Sequence, residues 1–221
     1  MAEITAAMVK QLRERTGAGM MECKSALVEA KGNPDEAEIV LRKRGIASAG
    51  KKASRATKQG LIGTYIHQGG QLGVMLEVNC ESDFVARTEV FQELVHDVAM
   101  HIAAADPRFI RKEDVTPDVI ETEKDIQRAR ALSEGKPEKL IEKIIEGRMA
   151  KFYEEICLLE QPFVKEATLS VGHLVKTKIA KLGENISIAR FVRFKVGDTA
   201  AAETGGEASG EAGGTTKASE K

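Results

Sequence analysis

The chain has 221 residues, of which 42% are hydrophobic, so it is long and apolar enough for one large or two modest folded domains. Its 33 lysines and arginines nearly balance 34 acidic residues, and a formal net charge of -1 argues against a general attraction to nucleic acid or anionic membranes. The sequence has no apolar run near the roughly 18 residues of a membrane span. Three widely separated cysteines and a start without a signal-like segment predict a cytoplasmic protein without a disulfide framework.

Residues 1–45 predict three short helices that pack into a small bundle. Each predicted helix carries one apolar stripe and ends at a glycine. The third has the clearest start signal, because Asn33 is a favourable N-cap and Pro34 suits the first helical position. We expect this helix to end at Gly45. The predicted bounds are 6–16, 20–31 and 34–44.

Residues 46–60 are small, polar and basic, and no acidic residue occurs between Glu38 and Glu77. This composition predicts a linker, in part helical, between two domains. Its function is either to face an anionic partner or only to form a solvated hinge, and we favour the hinge because most charged runs serve only to keep a segment in solvent. The basic residues are Lys51, Lys52, Arg55 and Lys58.

Residues 61–197 predict an α+β domain. Two apolar runs, 61–67 and 72–79, flank a turn with two glycines and predict a β-hairpin. A third run, 185–196, alternates in polarity, so we expect a three-stranded antiparallel sheet covered by helices. The predicted buried face of the third strand consists of Ile186, Ile188, Val192, Phe194 and Val196. The predicted helices are 89–105, 117–133, 137–160 and 171–182.

Two of these helices differ in their apolar patterns. The helix 137–160 has a continuous apolar stripe and should be buried, whereas 117–133 is mostly charged and should lie on the surface. The thin inward stripe predicted for the surface helix consists of Ile120, Ile126, Ala129 and Leu132. The tail 198–221 has no apolar side chain larger than alanine, which predicts disorder.

The sequence offers no catalytic or metal-binding constellation. Its four histidines occur without an HExxH, CxxC or GxSxG motif, so we predict neither an enzyme nor a metal or cofactor site. The segment 17–25 ends in Lys-Ser like a phosphate-binding loop, but Ala18 and Cys23 occupy positions where that loop needs glycine. Direct nucleotide binding is therefore not predicted.

Two features suggest contact with another protein. Met20 and Met21 are adjacent at a helix start, so they cannot both point inward, and exposed methionine forms an adaptable contact surface. Lys24 on the same helix is either a partner contact or a solvated charge. In the segment NCESDFVAR, Asp83 suits a turn, whereas Phe84 is either folded back into the core or exposed for a partner.

Two stretches, LRERTGAGMMECKSAL (12–27) and EVNCESDFVAR (77–87), resemble the signatures of the bacterial elongation factor Ts family. The resemblance extends over residues 2–197 and includes EGRMAKFYEEICLLEQPFVKE and GENISIARFVRF. Members of this family are guanine-nucleotide exchange factors for elongation factor Tu in translation. Ser82 stands where the family usually has threonine, but serine keeps the hydroxyl that caps the following turn.

The resemblance also implies how the chain is divided. Residues 1–45 would be a ubiquitin-associated-like (UBA-like) domain that docks on the G domain of elongation factor Tu. Residues 61–197 would form the α+β core and dimerisation domain, since the chain resembles the short, single-core form of the family, whose members tend to pair. We therefore expect a homodimer.

The site residues follow from the same resemblance. Asp83 and Phe84, with Ser82 and Val85 beside them, are implied to intrude near the magnesium and phosphate site of elongation factor Tu and to promote GDP release. The factor would stay bound until GTP rebinds. The implied docking residues are Arg13, Met20, Met21, Lys24 and His67.

A competing interpretation is an RNA- or ribosome-binding protein that uses the basic linker. It predicts binding that weakens steeply with salt. The near-neutral charge and the lack of an aromatic stacking platform in the sequence count against it. An enzyme is a more distant alternative, because no reacting constellation is apparent.

Overall fold

The computed structural model describes residues 4–198, and these fold into eight α-helices and five β-strands. The predicted α+β class is confirmed. The predicted tail lies outside the described residues except for Asp198, and no helix within residues 4–198 is long and apolar enough to cross a membrane. The elements in chain order are α1 (Ala6–Thr16), α2 (Met20–Glu29), α3 (Pro34–Lys52), β1 (Gln59–Ile66), β2 (Leu72–Cys80), α4 (Asp83–Ala86), α5 (Glu89–Ala105), a 3₁₀ turn (Lys112–Asp114), α6 (Pro117–Ser133), α7 (Glu138–Ile156), β3 (Pro162–Phe163), β4 (Glu166–Ser170), α8 (Val171–Leu182) and β5 (Ile186–Lys195).

The first three helices form the predicted bundle. Thr5 caps α1, because its hydroxyl accepts a hydrogen bond from the backbone N–H of Met8 at 3.3 Å. Asn33 caps α3 by accepting from two backbone N–H groups of the first turn. The core of the bundle contains Val9, Leu12, Cys23, Ala26, Leu27, Ala30, Ala37 and Leu41.

The third helix does not end at Gly45 as predicted, but continues to Lys52. Gly45 lies where α3 crosses α8, and a Cβ atom placed on it would lie 2.7 Å from the Cβ of Ala180. Glycine weakens a helix, but here its missing side chain lets two helices approach closely, so packing compensates. As a result α3 joins two cores, because Leu41 belongs to the bundle core and Ala49 to the core beneath the sheet.

We expect Gly45→Ala to lower the free energy of unfolding by about 1–2 kcal/mol, because the added methyl overpacks the crossing with α8. Gly50→Ala is the matched control in the same helix, since a Cβ there would meet nothing within 4 Å. That change should raise stability by up to about 1 kcal/mol through helix propensity. Urea denaturation of both variants measures the difference, and equal stabilisation by both would show that the crossing is not tight.

The three-stranded sheet has the order β1-β2-β5, with both pairs antiparallel, as predicted. Its inner face packs against α5 and α8, and these elements bury the largest of the apolar clusters among residues 4–198. Along β2 the inward side chains alternate strictly with outward ones, which is the expected period of a half-buried strand. The inward residues of β2 are Val74, Leu76, Val78 and Cys80.

The predicted buried face of β5 is wrong for its second half. Glu77 pairs with Arg190 and the next residue of β2 pairs with Ile188, so Ala189 is an extra residue in β5. Such a β-bulge reverses which side chains face the core. Ile186 and Ile188 are buried, but Val192, Phe194 and Val196 are exposed.

The predicted apolar stripe of α6 is also wrong. Ala131 is fully buried and Ile120 partly buried against α7, whereas Ile126 and Leu132 are exposed. Pairing with α7 decides the orientation, because the α7 stripe of Ile141, Ile145 and Met149 meets the α6 side with the small alanine. The α7 stripe itself is buried as predicted, although α7 ends at Ile156.

The buried side chain of His101 connects α5 to the short β3–β4 hairpin, which was not predicted from the sequence. The backbone N–H of Val164 donates to His101 Nδ1 at 3.2 Å, so the proton of the neutral ring lies on Nε2. Nε2 then donates to Gln161 Oε1 at 3.0 Å. Burial lowers the pKa of His101, and the hydrogen bond to Gln161 raises it less strongly.

Because of His101, we expect the free energy of unfolding to decrease as pH drops below about 6.5, the ordinary pKa of histidine. Below that value the unfolded chain takes up a proton that native His101 refuses, which costs up to about 1.4 kcal/mol per pH unit. His101→Leu should be less stable at pH 7.5, by about 1–3 kcal/mol, because it leaves polar partners unpaired. It should also lose less stability between pH 7 and 5.5 than the wild type or the exposed-site control His96→Gln. Urea titrations across this range test the difference, and parallel pH profiles for all three proteins would contradict it.

Candidate partner-binding site

The Asp83–Phe84 pair lies on a surface corner between β2 and α5. Ser82 accepts a hydrogen bond from the backbone N–H of Val85 at 3.4 Å and thereby caps the one-turn helix α4. Val85 packs partly against the core and Ala86 is buried, whereas the Phe84 side chain is 79% exposed. The alternative in which Phe84 folds back into the core is therefore wrong, and the turn presents an aromatic ring to solvent.

The carboxylate of Glu184 holds this corner. Glu184 Oε2 accepts from the backbone N–H of Ser82 at 2.9 Å, and Oε1 accepts from the Ser82 hydroxyl at 2.6 Å. Burial raises the pKa of the neighbouring Cys80 thiol, and the charge of Glu184 raises it further, so the thiol stays protonated and donates to the Ser82 carbonyl. No sequence pattern identified Glu184, which is 102 positions away from Ser82.

Asp83 is paired in this conformation. Its carboxylate lies 3.0 Å from the guanidinium of Arg87, one turn later. Both side chains are largely solvent-exposed, and such a pair contributes about 0–1 kcal/mol. A cationic or metal-bound partner could therefore displace Arg87 at little cost.

The four candidate residues of the bundle are all exposed. Met20 and Met21 open α2, and the Met21 side chain is 76% exposed. Lys24 lies one turn later on the same helix, and Arg13 is exposed on α1. Val28 is also exposed and shares a face of α2 with Met21 and Lys24, a spacing of four and seven residues that could have identified it from sequence.

The end of α8 connects the bundle to the Asp83–Phe84 corner. A Cβ on Gly17, in the loop before α2, would lie 3.6 Å from Lys181 Cε. Three residues further along the chain, Glu184 binds Ser82. The two segments that resemble the family signatures, 12–27 and 77–87, are separated by about fifty residues in sequence. The fold brings both of them to the short stretch 181–184.

His67 is not part of this assembly. It lies at the β1–β2 turn, where its Nδ1 is 3.1 Å from the hydroxyl of Tyr65. The Asp83–Phe84 corner follows the other end of β2, and nine strand residues span about 30 Å.

The structure places three of the four basic linker residues. Lys51 and Lys52 lie in the last turn of α3, where a positive charge interacts favourably with the helix dipole. Arg55 lies 3.5 Å from the carboxylate of Glu81. These contacts agree with a structural role for the segment.

The outer face of the sheet is an exposed apolar surface. Met75 is paired with Val192, and Gly73 with Phe194, so the side chains of Met75, Val192 and Phe194 lie on the same side of the sheet and face solvent. Phe194 is 67% exposed. We call this the outer sheet face, and its exposed apolar residues are Ile62, Ile66, Met75, Val192 and Phe194.

Comparisons with known proteins show which family this chain belongs to. The family model described as Elongation factor TS matches residues 21–200. The chain belongs to the elongation factor Ts family. It is 84% identical over 207 residues to Elongation factor Ts of Solibacter usitatus (strain Ellin6076), an alignment that covers 94% of this chain and 98% of the relative. Elongation factor Ts of Koribacter versatilis (strain Ellin345) is 66% identical over 195 residues, with 88% and 89% covered. Elongation factor Ts of Alkaliphilus oremlandii (strain OhILAs) is 58% identical over 196 residues, with 89% and 90% covered.

The predicted resemblance and the place among elongation factors of protein synthesis are thereby confirmed. The matched range of the elongation factor Ts family includes Met21, Lys24 and the Asp83–Phe84 corner. Arg13 and Met20 lie before it.

Proposed function

We propose that this protein promotes the release of GDP from elongation factor Tu and stays bound until GTP rebinds. Family membership supports this exchange role and this partner. The observation that carries the mechanism is the exposed ring of Phe84 on a turn held by hydrogen bonds. A large aromatic side chain fixed at the surface is suited to enter a pocket of another protein.

In the proposed mechanism Phe84 acts as a wedge in the G domain of elongation factor Tu, near the bound magnesium ion. Magnesium requires nearly ideal octahedral oxygen geometry, so a small displacement of the partner's loops removes ligands from it. The carboxylate of Asp83 perturbs the same network of water and carboxylates. Ser82 and Val85 hold the pair in place, because one caps the turn and the other packs against the core.

The wedge needs a second attachment. Accelerating release 10⁴-fold requires lowering the barrier by about 5.5 kcal/mol, whereas one aromatic anchor contributes about 2–4 kcal/mol. We propose that the bundle, residues 1–45, supplies the difference as a docking domain through Arg13, Met20, Met21 and Lys24. By linkage, nucleotide binding to the partner must weaken docking as much as docking weakens the nucleotide. His67 would contact a separate region of the partner.

We further propose that the core, residues 61–197, forms a homodimer through the outer sheet face. An apolar sheet face that packs on its own copy gives a closed two-fold interface and a sheet-on-sheet core. The ion pair between Glu77 and Arg190, 2.8 Å apart, borders the apolar residues and suits a polar rim. Phe84 lies in α4, after the end of β2, and is not a residue of this face, so the proposed pairing does not use it.

The test is the release of fluorescent GDP from elongation factor Tu, followed by stopped flow as the concentration of this protein increases. A release rate that rises and saturates supports docking followed by exchange. No acceleration at any concentration would refute the proposal. In that case, binding to ribosomal RNA with a steep salt dependence would favour the alternative function.

A further inference from the structure

We propose that Glu184, together with Asn185, is a positioning residue that fixes the direction in which Phe84 leaves the surface. This inference rests on the exchange function proposed above. It concerns the segment between α8 and β5, which is distant in sequence from the Asp83–Phe84 pair but lies directly beneath it.

The first step is the weakness of the turn itself. Helix α4 has four residues, and so short a helix cannot offset its own nucleation cost. Its cap bond from the Val85 N–H to the Ser82 hydroxyl is long, at 3.4 Å. Phe84 is exposed and has little packing of its own. The orientation of the turn therefore depends on what holds Ser82.

The second step is the strength of the contact to Glu184. A single carboxylate accepts both the backbone N–H and the hydroxyl of Ser82, at 2.9 and 2.6 Å. Hydrogen bonds to a charged acceptor are roughly twice as strong as neutral ones. Two bonds from one rigid group to one residue fix position and rotation together, and the Ser82 hydroxyl is also the cap of α4.

The third step is the connection of this contact to the bundle. The backbone N–H of Asn185 donates to Glu81 Oε1 at 2.6 Å, and its side-chain amide donates to the carbonyl of Arg55 at 2.8 Å. Asn185 is buried, so these partners are needed to satisfy it. The chain just beyond α3 is thus tied to the same corner. A displacement of the docked bundle is therefore transmitted to the Ser82–Phe84 turn through the hydrogen bonds of Asn185 and Glu184 rather than through a free hinge.

The test separates positioning from docking. With Glu184→Ala we expect the maximal rate of GDP release at saturation to fall about 10- to 100-fold, because a Phe84 ring that is no longer correctly oriented loses most of its effect. The half-saturating concentration should change less than about 2-fold, since the docking residues are untouched. Glu184→Gln keeps one acceptor oxygen for Ser82, so it should recover part of the maximal rate.

Two controls make the assignment specific. Glu93→Ala removes a carboxylate that binds a side chain, Lys178 at 2.8 Å, but makes no hydrogen bond to Ser82, and it should leave both parameters unchanged. In a Phe84→Ala background, Glu184→Ala should cause no further loss, because it acts through the ring. Equal losses in both backgrounds, or a maximal rate unaffected by Glu184→Ala, would overturn the inference.

A second readout does not depend on exchange activity. The Ser82 amide should exchange with deuterium about 10-fold or more faster in Glu184→Ala than in the wild type, whereas amides in α5 should keep their rates. If the wild type fails to release GDP, the proposed function is wrong. The amide rates then still decide whether Glu184 holds the turn, and an unchanged Ser82 rate refutes it.

Discussion

Phe84→Ala should lower the maximal acceleration of GDP release by about 30- to 1000-fold, the equivalent of 2–4 kcal/mol for one aromatic anchor. The ring is 79% exposed in the free protein, so it contributes little to folding, and its loss should change stability by less than about 0.5 kcal/mol. Stopped-flow release of fluorescent GDP measures the effect on activity, and urea denaturation verifies that the variant is folded. The half-saturating concentration should rise only modestly, because the bundle still docks.

Ile126→Ala provides the matched control for this variant. Ile126 is an exposed apolar residue within α6, outside every surface proposed to contact a partner. Its truncation should leave release unchanged. If Phe84→Ala retained the full maximal rate, the ring would not be the wedge, and docking alone would have to supply the whole effect.

The sequence predicted best those features that are determined locally. Asn33 was expected to cap a helix, and its side chain accepts hydrogen bonds from the first turn of α3. The β1–β2 hairpin follows from two apolar runs around adjacent glycines. Family motifs then identified Phe84 as a candidate. Its exposure, however, could be established only by the structure.

The errors arise where a distant part of the chain decides a local outcome. The local sequence predicts that a helix ends at Gly45. In the structure α3 continues past Gly45, which lies against Ala180 where α3 crosses α8. The bulge at Ala189 turns Phe194 outward, and no simple period along β5 reveals one inserted residue. Glu184 is an ordinary acidic residue in sequence, and its role at the corner depends on Ser82, 102 positions earlier.

The extension of α3 also changes the expected connection between the bundle and the α+β domain. Residues 46–60 were expected to be a linker, in part helical, that acts as a solvated hinge between the bundle and the α+β domain. Because α3 continues to Lys52 and contributes Ala49 to the second core, the described residues favour a stiff connection between the proposed docking surface and the proposed wedge. A stiff connection suits an exchange factor, since docking energy can then act on the turn instead of bending a hinge.

The exposure of Phe194 on the outer sheet face leads to the second large expected effect, which is on dimerisation. Phe194→Glu should raise the dissociation constant of the proposed homodimer at least about 1000-fold, so that a micromolar sample becomes monomeric. In a two-fold interface each substitution occurs twice, and each carboxylate would be buried without a partner against Ile66 and Met75 of the facing sheets. Sedimentation equilibrium at several protein concentrations measures the change. The folded monomer itself should be nearly as stable as before, because Phe194 is exposed within one chain.

Val164→Glu is the control, because Val164 is an exposed apolar residue in the loop between β3 and β4, away from the outer sheet face. It should leave the mass unchanged.

A wild type that is monomeric at micromolar concentration would contradict the homodimer directly. A Phe194→Glu protein that stayed dimeric would place the interface elsewhere, and the outer sheet face would then be free for a different partner. If Phe194→Glu gives a monomer that still accelerates GDP release through Phe84, pairing is separate from exchange. Each chain then acts as an independent wedge, because Phe84 lies in α4, outside the outer sheet face.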